Sequence, residues 1–229
     1  SASPDGADNI AIGRSALAAS DGVADCNIAI GLSALGGADV SGLANIAIGA
    51  LSADALTTGI CNVAIGTNAL GASTTGCRNV AIGPATLGAG VVTGSGNVAV
   101  GSSTMDALTT GDCNIAMGIN ALGASTTGCD NIAIGQLAIG LCTATGNYNV
   151  GIGYAAGYKI TTGANDVAIG NAAMDALTTG ICNVAIGANA LGAATIGINN
   201  IAIGKTAMSG VTTLQADSNI AIGVNALSG

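Results

Sequence analysis

The sequence lacks phenylalanine, tryptophan and histidine, and its 12 acidic residues are all aspartate, so glutamate is absent too. Histidine and glutamate are among the residues that enzymes most often use as general acids and bases, so their absence disfavours catalysis. Tyrosine is the only aromatic residue, with 3 copies in 229 residues. A conventional globular core without large aromatic side chains would be unusual. The sequence therefore predicts a protein that is not an enzyme and that uses no cofactor.

Charged residues are also scarce. They make up 7% of the chain, compared with roughly 25% in a typical soluble domain. The net charge is −8, with only 4 basic residues, so the sequence offers no basic patch for nucleic acid. Ala, Ile, Val and Leu supply the hydrophobicity, which leaves Asn, Ser, Thr, Gly and Ala to cover most of the surface. Such a surface is easily buried against copies of itself.

One long stretch, 176–204, contains no charge and has the hydropathy of a membrane helix. Asn, Thr and Gly recur in it at fixed intervals, however, as they do in the rest of the chain. We therefore expect no membrane insertion and attribute the stretch to a repeat.

A pentapeptide motif, Asn-Ile/Val-Ala-Ile/Val-Gly, organises the chain. We call its first residue slot 0, number the following positions from it, and call each segment from one slot 0 to the next a coil. Slot 0 is Asn in 12 of 13 coils, Asp166 being the exception, and slot +4 is always Gly. Met117 at slot +3 and Gly151 at slot +2 are the other departures. The motif begins, at intervals of 17 to 19 residues, at Asn9, Asn27, Asn45, Asn62, Asn79, Asn97, Asn114, Asn131, Asn149, Asp166, Asn183, Asn200 and Asn219.

Alternating β-branched residues at slots +1 and +3 predict a short strand that cannot bury its apolar face alone. Neighbouring copies must stack, so we predict an all-β parallel β-solenoid, or β-roll, of about 13 coils of 17–19 residues, as a single domain over 1–229. Strands roughly 4.8 Å apart would give a rod of roughly 60 Å. We expect Ile and Val at slots +1 and +3 to face the interior and Ala at slot +2 to face outward.

Apolar residues at slots +8 and +11 are three apart, which is not the parity of a strand. They predict a short helical or irregular corner around segments such as 174–177. The Asn residues of slot 0 are expected to stack at the inner corner, with side-chain amides bonding along the stack and to the loop backbone; solvated turn residues are the alternative.

The motif Asn-x-Ala-Ile-Gly at regular spacing resembles the head repeats of trimeric autotransporter adhesins. The longer unit over 62–76 is similar to repeats of phage tail-fibre proteins. The resemblance covers nearly the whole chain and implies a left-handed β-roll, three chains packed side by side, and an extracellular binding or spacer role. The chain departs from the adhesin pattern in its longer coils and its 7 cysteines.

Most cysteines precede the Asn of slot 0. Cys61 with Cys77, and Cys113 with Cys129, lie one coil apart, so stacked loops would bring each pair within reach of a disulfide. Buried free thiols are the alternative, and a metal site is disfavoured because no His or Cys-x-x-Cys accompanies them. Cys26, Cys142 and Cys182 have no cysteine on an adjacent coil and would be small buried residues or links between chains.

An extra coil, 149–165, follows two similar blocks of 52 residues, 45–96 and 97–148. In and beside it lie the residues of a possible ligand patch: Asn147, Tyr148, Tyr154, Tyr158 and Lys159. Tyrosine rings beside amides suit a sugar or protein surface. The alternative is that an atypical coil needs bulk to fill its interior.

Thr recurs at slot +12 in most coils. Such a column resembles ice-binding solenoids, although hydrogen bonding at the corners is its simpler explanation. We therefore expect a structural, non-catalytic subunit of an extracellular fibre or appendage at the cell or virion surface. The alternative is a surface-binding module for glycans, as in adhesins or tail fibres, or for ice.

The motif starts only eight residues into the sequence, which stops ten residues after Asn219. Neither end has the polar cap expected of a monomeric solenoid. We expect end-to-end stacking of identical copies into a filament, with residues 1–8 exchanged between subunits. A lateral trimer through the Ala column is the rival, and a fragment of a longer fibre would lack caps for another reason.

Overall fold

The computed structural model describes residues 7–19, 24–37, 40–141, 144–210 and 217–228. Every regular element among them is a β-strand, and all the strand pairs are parallel, so the predicted all-β parallel solenoid is confirmed. The chain separates into two compact units, Ser1–Asn114 and Ile115–Gly229. The single domain over 1–229 stays a prediction. No helix long and apolar enough to cross a membrane occurs in the described ranges.

Each coil contributes one strand of three residues, at slots +1 to +3. The strands of the first unit are β1 Ile10–Ile12, β2 Ile28–Ile30, β3 Ile46–Ile48, β4 Val63–Ile65, β5 Val80–Ile82 and β6 Val98–Val100. The strands of the second unit are β7 Ile115–Met117, β8 Ile132–Ile134, β9 Val150–Ile152, β10 Val167–Ile169, β11 Val184–Ile186, β12 Ile201–Ile203 and β13 Ile220–Ile222. Within each unit successive strands pair slot for slot, as Ile10 with Ile28 and Val167 with Val184.

The two faces of the strand are the reverse of those predicted. From the second coil on, the residue at slot +2 is buried, whereas Ile10 is 47% exposed, Ile12 58% and Ile65 36%. Val63 is half-buried. The prediction that these β-branched residues fill the interior is therefore wrong, and the Ala column lies inside.

Large side chains from the corners explain this reversal. The interior opposite the strand is filled from slots +8 and +11, which leaves room only for a methyl group at slot +2. Fully burying one such side chain contributes about 1.5–3 kcal/mol. The largest fully buried side chains are Leu17, Leu35, Leu70, Leu87, Met105, Leu122, Ile139 and Met174 at slot +8, and Leu56, Leu108, Ile160 and Leu177 at slot +11.

Slot +4 admits only glycine because the coils approach closely there. Gly49 has φ +138°, and a Cβ built on it would lie 2.5 Å from the carbonyl oxygen of Gly66 in the next coil. That separation is shorter than real Cβ contacts, and the backbone atom cannot move aside. The invariant glycine thus fixes both the end of the strand and the stacking distance.

The corners are irregular turns, and the helical form that the sequence also allowed is absent from the described residues. Their backbone groups bond between coils: Leu17 N–H donates to the carbonyl of Ala34 (3.0 Å), and Ser33 N–H donates to that of Arg14 (2.9 Å). Both donors have left-handed φ values, 51° for Leu17 and also 51° for Ser33. The spacing of three between slots +8 and +11 corresponds to one turn, in which Leu177 N–H donates to the carbonyl of Met174 (3.3 Å).

Gly151 shows how tightly the interior is filled. It replaces Ala at slot +2 of the ninth coil, where a Cβ would lie 2.8 Å from Ile139 Cγ1 and 2.9 Å from the carbonyl oxygen of Ala156. Ile139 lies at slot +8 of the preceding coil and is branched at Cβ, unlike the Leu or Met that usually occupies this slot. The close approach of Ile139 therefore explains why slot +2 of the extra coil carries no side chain.

We predict that Gly151→Ala destabilises the protein by about 1–3 kcal/mol, although alanine occupies this slot in the other coils. Chemical unfolding monitored by circular dichroism measures the change. In an Ile139→Ala background the same substitution should cost less, because the crowding by the Ile139 side chain has been removed while that by the carbonyl of Ala156 remains. Equal costs in the two backgrounds would contradict this explanation of the glycine.

Candidate functional site

The residues of slot 0 form a buried column that runs through the coils of each unit. In the central coils, Asn62 N–H donates to Asn45 Oδ1 (2.9 Å), and Asn62 Nδ2 donates both to Asn45 Oδ1 (3.0 Å) and to the carbonyl of Gly76 (2.8 Å). Asn62 Oδ1 in turn accepts the N–H of Asn79 (2.9 Å). Each amide thus links its own coil to the preceding and following coils and closes its own loop.

All but two of the slot 0 residues are fully buried. Asn27, Asn45, Asn62, Asn79, Asn97, Asn114, Asn131, Asn149, Asp166, Asn183 and Asn200 are each at most 1% exposed, whereas Asn9 and Asn219 are half-buried. A buried polar group without partners costs about 1–3 kcal/mol. The uniform occupancy of slot 0 therefore reflects hydrogen bonds that only a primary amide completes on both sides.

Asp166 is the one carboxyl group in this column. Its Oδ1 accepts from the N–H (2.8 Å) and the Nδ2 (3.0 Å) of Asn183, as an Asn Oδ1 does. Its Oδ2 occupies the place of the amide nitrogen, and this buried atom has no hydrogen-bond partner. Burial raises the pKa of Asp166 from 3.8 to about 6, against the opposing effect of the two bonds from Asn183.

The four cysteines of the two predicted bridges are not joined by disulfides in the structure. Cys61 and Cys113 are exposed and Cys77 and Cys129 half-buried, and all four are unbridged. Cys26 and Cys182 are exposed free thiols as well, and Cys142 lies outside the described residues. The alternative that the cysteines are buried thiols is therefore wrong for Cys26, Cys61, Cys113 and Cys182, which are all exposed. The two bridges stay predictions.

The proposed ligand patch is divided by a strand. Tyr148 precedes β9 and is 58% exposed, whereas Tyr154 follows β9 and is 51% exposed. Tyr158 and Lys159 belong to the next turn, where Tyr158 is half-buried and Lys159 exposed. The two exposed tyrosines thus lie beyond opposite ends of one strand.

The remaining member of that patch, Asn147, has a local structural role. Its Oδ1 accepts the backbone N–H of Cys129 in the preceding coil (2.8 Å). Ser95 Oγ accepts the N–H of Cys77 in the same way (3.2 Å). These two side chains, each two positions before slot 0, therefore accept a hydrogen bond from a backbone N–H of the preceding coil.

Threonine hydroxyls at slot +12 form hydrogen bonds between the corners of successive coils. Thr57 Oγ1 donates to the carbonyl of Thr74 (3.0 Å), and Thr161 Oγ1 to that of Thr178 (2.9 Å). Thr178 Oγ1 continues the pattern to Thr195 (2.8 Å). These hydroxyls bond along the stack, which favours the corner explanation over an ice-binding surface.

Surface cavities occur in both units. A cavity of about 280 Å³ is lined by Asp175, Asn189, Gly192, Ala193, Thr206 and Ser209. Burial raises the pKa of Asp175, and the charge of Lys159 opposes that rise. A cavity of about 480 Å³ is lined by Arg78, Ser95, Gly96, Asp112 and Cys113. No group of three or more His, Cys, Asp or Glu side chains suited to a metal ion occurs in the described part of the chain.

The outward faces of the strands are the feature that sequence reasoning missed. Ile48, Ile82 and Ile134 at slot +3 are 36%, 38% and 37% exposed, and Met117 is 44% exposed. Slots +1 and +3 therefore form two adjacent apolar columns on the surface of each unit. The signal was present in the invariance of the small residue at slot +2, which marks a position with no space around it.

We predict that Asp166→Asn stabilises the protein at neutral pH. A folded-state pKa of about 6 lies above the ordinary value of 3.8, so the native state binds this proton more tightly than the unfolded state. The contribution of Asp166 to the free energy of unfolding is therefore most favourable below the ordinary pKa, becomes less favourable as the pH rises to about 6 and is level above it. Above pH 6 the ionised carboxyl lowers the free energy of unfolding by about 3 kcal/mol, and replacing it with an amide removes this loss.

The measurement is the urea midpoint of both proteins at pH 5.0 and 7.5. Asp130→Asn, at an exposed position, is the matched control because it changes the net charge by the same amount. The wild-type protein and the control should lose stability between the two pH values, and Asp166→Asn should lose much less. Parallel curves for all three would refute the assignment.

No protein-family model, curated protein or solved structure matches the chain. The resemblance to adhesin heads and tail-fibre repeats therefore rests on the sequence repeat alone.

Proposed function

We propose that the chain is a structural, non-catalytic subunit of an extracellular fibre or appendage at the surface of a cell or virion, and that it serves as a segment of the shaft. The observation that carries this proposal is the repetition of one hydrogen-bond pattern from coil to coil. Ile10 N–H donates to the carbonyl of Asn27, and Ile201 N–H to that of Asn219, both at 2.8 Å. A coil of such a stack is complete only with a neighbour on each side.

End-to-end addition of copies follows from the same pattern. In the described coils the N–H of slot +1 points toward the next coil, and the N–H of slot +4 points back, as in Gly223 N–H to the carbonyl of Ile203 (2.8 Å). A first coil from a second copy placed beyond β13 would meet the same donors and acceptors. The segment expected to be exchanged, 1–8, lies outside the described residues apart from Ala7 and Asp8.

The filament is tested by electron microscopy and sedimentation of the purified chain. Ile220→Pro removes the N–H that slot +1 directs toward a following coil, so filaments should be lost. Val224→Pro is the matched control, since the same coil receives a proline at slot +5, where Pro84 stands in the fifth coil. This control should still form filaments.

Two outcomes would overturn the proposal. One is a monodisperse monomer at high protein concentration, with no filaments on the grid. The other is equal loss of filaments in the Ile220→Pro and Val224→Pro proteins while both keep the wild-type circular dichroism spectrum. Either result would leave the strand edge of β13 without a role in assembly.

A further inference from the structure

We propose that the outward face formed by slots +1 and +3 binds the same face of a second copy. In this pair the two chains are related by a two-fold axis parallel to the stacking direction of the coils. The pairing joins chains side by side, so it is distinct from end-to-end stacking and does not depend on it. The Ala column, which the sequence suggested for lateral contact, is buried within the coils and offers no surface.

The face is apolar throughout. Every residue of the thirteen strands is Ile, Val, Ala, Met or Gly, and no charge interrupts the columns. Ile48, Ile65 and Ile82 on successive strands of the first unit are 36%, 36% and 38% exposed. Identical β-branched side chains at strand spacing interdigitate with a matching sheet in the manner of a steric zipper. A second copy of this chain carries that matching sheet.

The size of the face predicts a weak, concentration-dependent pair. Three residues span about 10 Å along a strand, and neighbouring strands lie about 4.8 Å apart, so each unit offers about 300 Å². That is the size of a large exposed patch on a monomer. A standard interface buries about 800 Å² on each partner, so this one belongs to the weaker class.

Charges at the two edges of the sheet fix the orientation of the pair. Arg14 and Lys205 stand at slot +5, just beyond the carboxyl ends of their strands, and both are exposed. The amino-terminal edge is mainly acidic, with Arg78 as the basic exception: its charged residues at the two positions before slot 0 are Asp8, Asp25, Arg78, Asp112, Asp130 and Asp217.

The relation between the edges is the same in both units. Arg14 lies at the carboxyl end of β1, and Asp8 at the amino end of that strand, with Asp25 at the amino end of β2. Lys205 lies at the carboxyl end of β12, and Asp217 precedes the adjacent strand β13. Neighbouring coils lie about 4.8 Å apart, which is well within a Debye length. Charges on neighbouring coils would therefore still interact across a pair.

Two arrangements place the faces together, and the charges distinguish them. A two-fold axis parallel to the strands would set each acidic edge against the acidic edge of the partner. A two-fold axis parallel to the stacking direction reverses the strands and sets Arg14 opposite Asp8 of the second copy. The second arrangement pairs unlike charges twice, once on each side of the axis.

Sedimentation equilibrium over a range of concentrations tests the face, in the Ile220→Pro background so that end-to-end stacking does not contribute. The double variant Ile65→Lys, Ile82→Lys should weaken the pair by more than about 20-fold, because it buries unpaired charge. Its matched control, Thr58→Lys with Thr75→Lys, adds the same charge at exposed positions outside the strands and should pair like the parent. Circular dichroism establishes that both variants fold.

A charge exchange tests the orientation. Arg14→Asp should weaken pairing by about tenfold, since each substitution acts twice across the two-fold axis. Adding Asp8→Arg, which places arginine where Arg78 stands in its own coil, should restore the affinity to within about twofold of the parent. The difference between these variants should shrink at high salt.

Monomers at every concentration, or equal pairing by the two lysine double variants, would overturn the proposed face. Pairing that survives Arg14→Asp unchanged would overturn the proposed axis. A trimer in place of a pair would refute the two-fold arrangement as well. Because these measurements use a chain that cannot stack end to end, failure here leaves the filament proposal standing, and the reverse also holds.

Discussion

The alternation of backbone hydrogen bonds between successive coils is the interaction on which the rest of the structure depends. Successive donors of a strand point alternately to the coil before and the coil after, and corner donors such as Ser33 and Leu35 also reach neighbouring coils. Leu35 N–H reaches forward to Ser52, for example, and Gly31 N–H reaches back to Ile12. Because the strand bonds all run between coils and the backbone bonds within a coil close only short turns, the fold has no unit smaller than a stack of coils.

The close spacing of successive coils, which these hydrogen bonds impose, determines the residues that each slot accepts. Where the backbones meet at slot +4, a Cβ would collide with the next carbonyl, so glycine is required. Where the strand faces the buried Leu and Met columns, only a methyl group fits, and the large β-branched residues are left on the outside. Slot 0 needs a group that both donates and accepts along the stack, which is the chemistry of a primary amide.

The sequence was sufficient to predict the solenoid, its strand positions and the number of its coils, because one residue type recurs in each slot. It failed on the two faces of the strand, since alternation alone does not tell which face is buried. The rule that the larger apolar residues lie inside gave the wrong face here. Slots +8 and +11, which do carry the core, were recognised as apolar but not as the filling that excludes Ile and Val.

The candidate sites were less predictable than the fold. A cluster such as Tyr148, Tyr154 and Tyr158 is close in sequence, but a strand separates the first two rings. The unpartnered oxygen of Asp166 was visible in the sequence only as one Asp among Asn residues. The effect of this oxygen on stability depends on its burial and on the hydrogen bonds that the neighbouring residues make, and neither can be predicted from the repeat pattern.

A stack of like coils unfolds as a one-dimensional system, in which each coil is held by its two contacts. Such a system loses coils from its ends, or breaks internally wherever one contact is weaker than the rest. In the second unit the coil of Asp166 has intact coils on both sides, so an ionised carboxyl there is an internal breaking point. Where this contact is the weakest in the unit, the substitution of one oxygen for one nitrogen limits the length over which the unit melts cooperatively, and it makes that length depend on proton concentration.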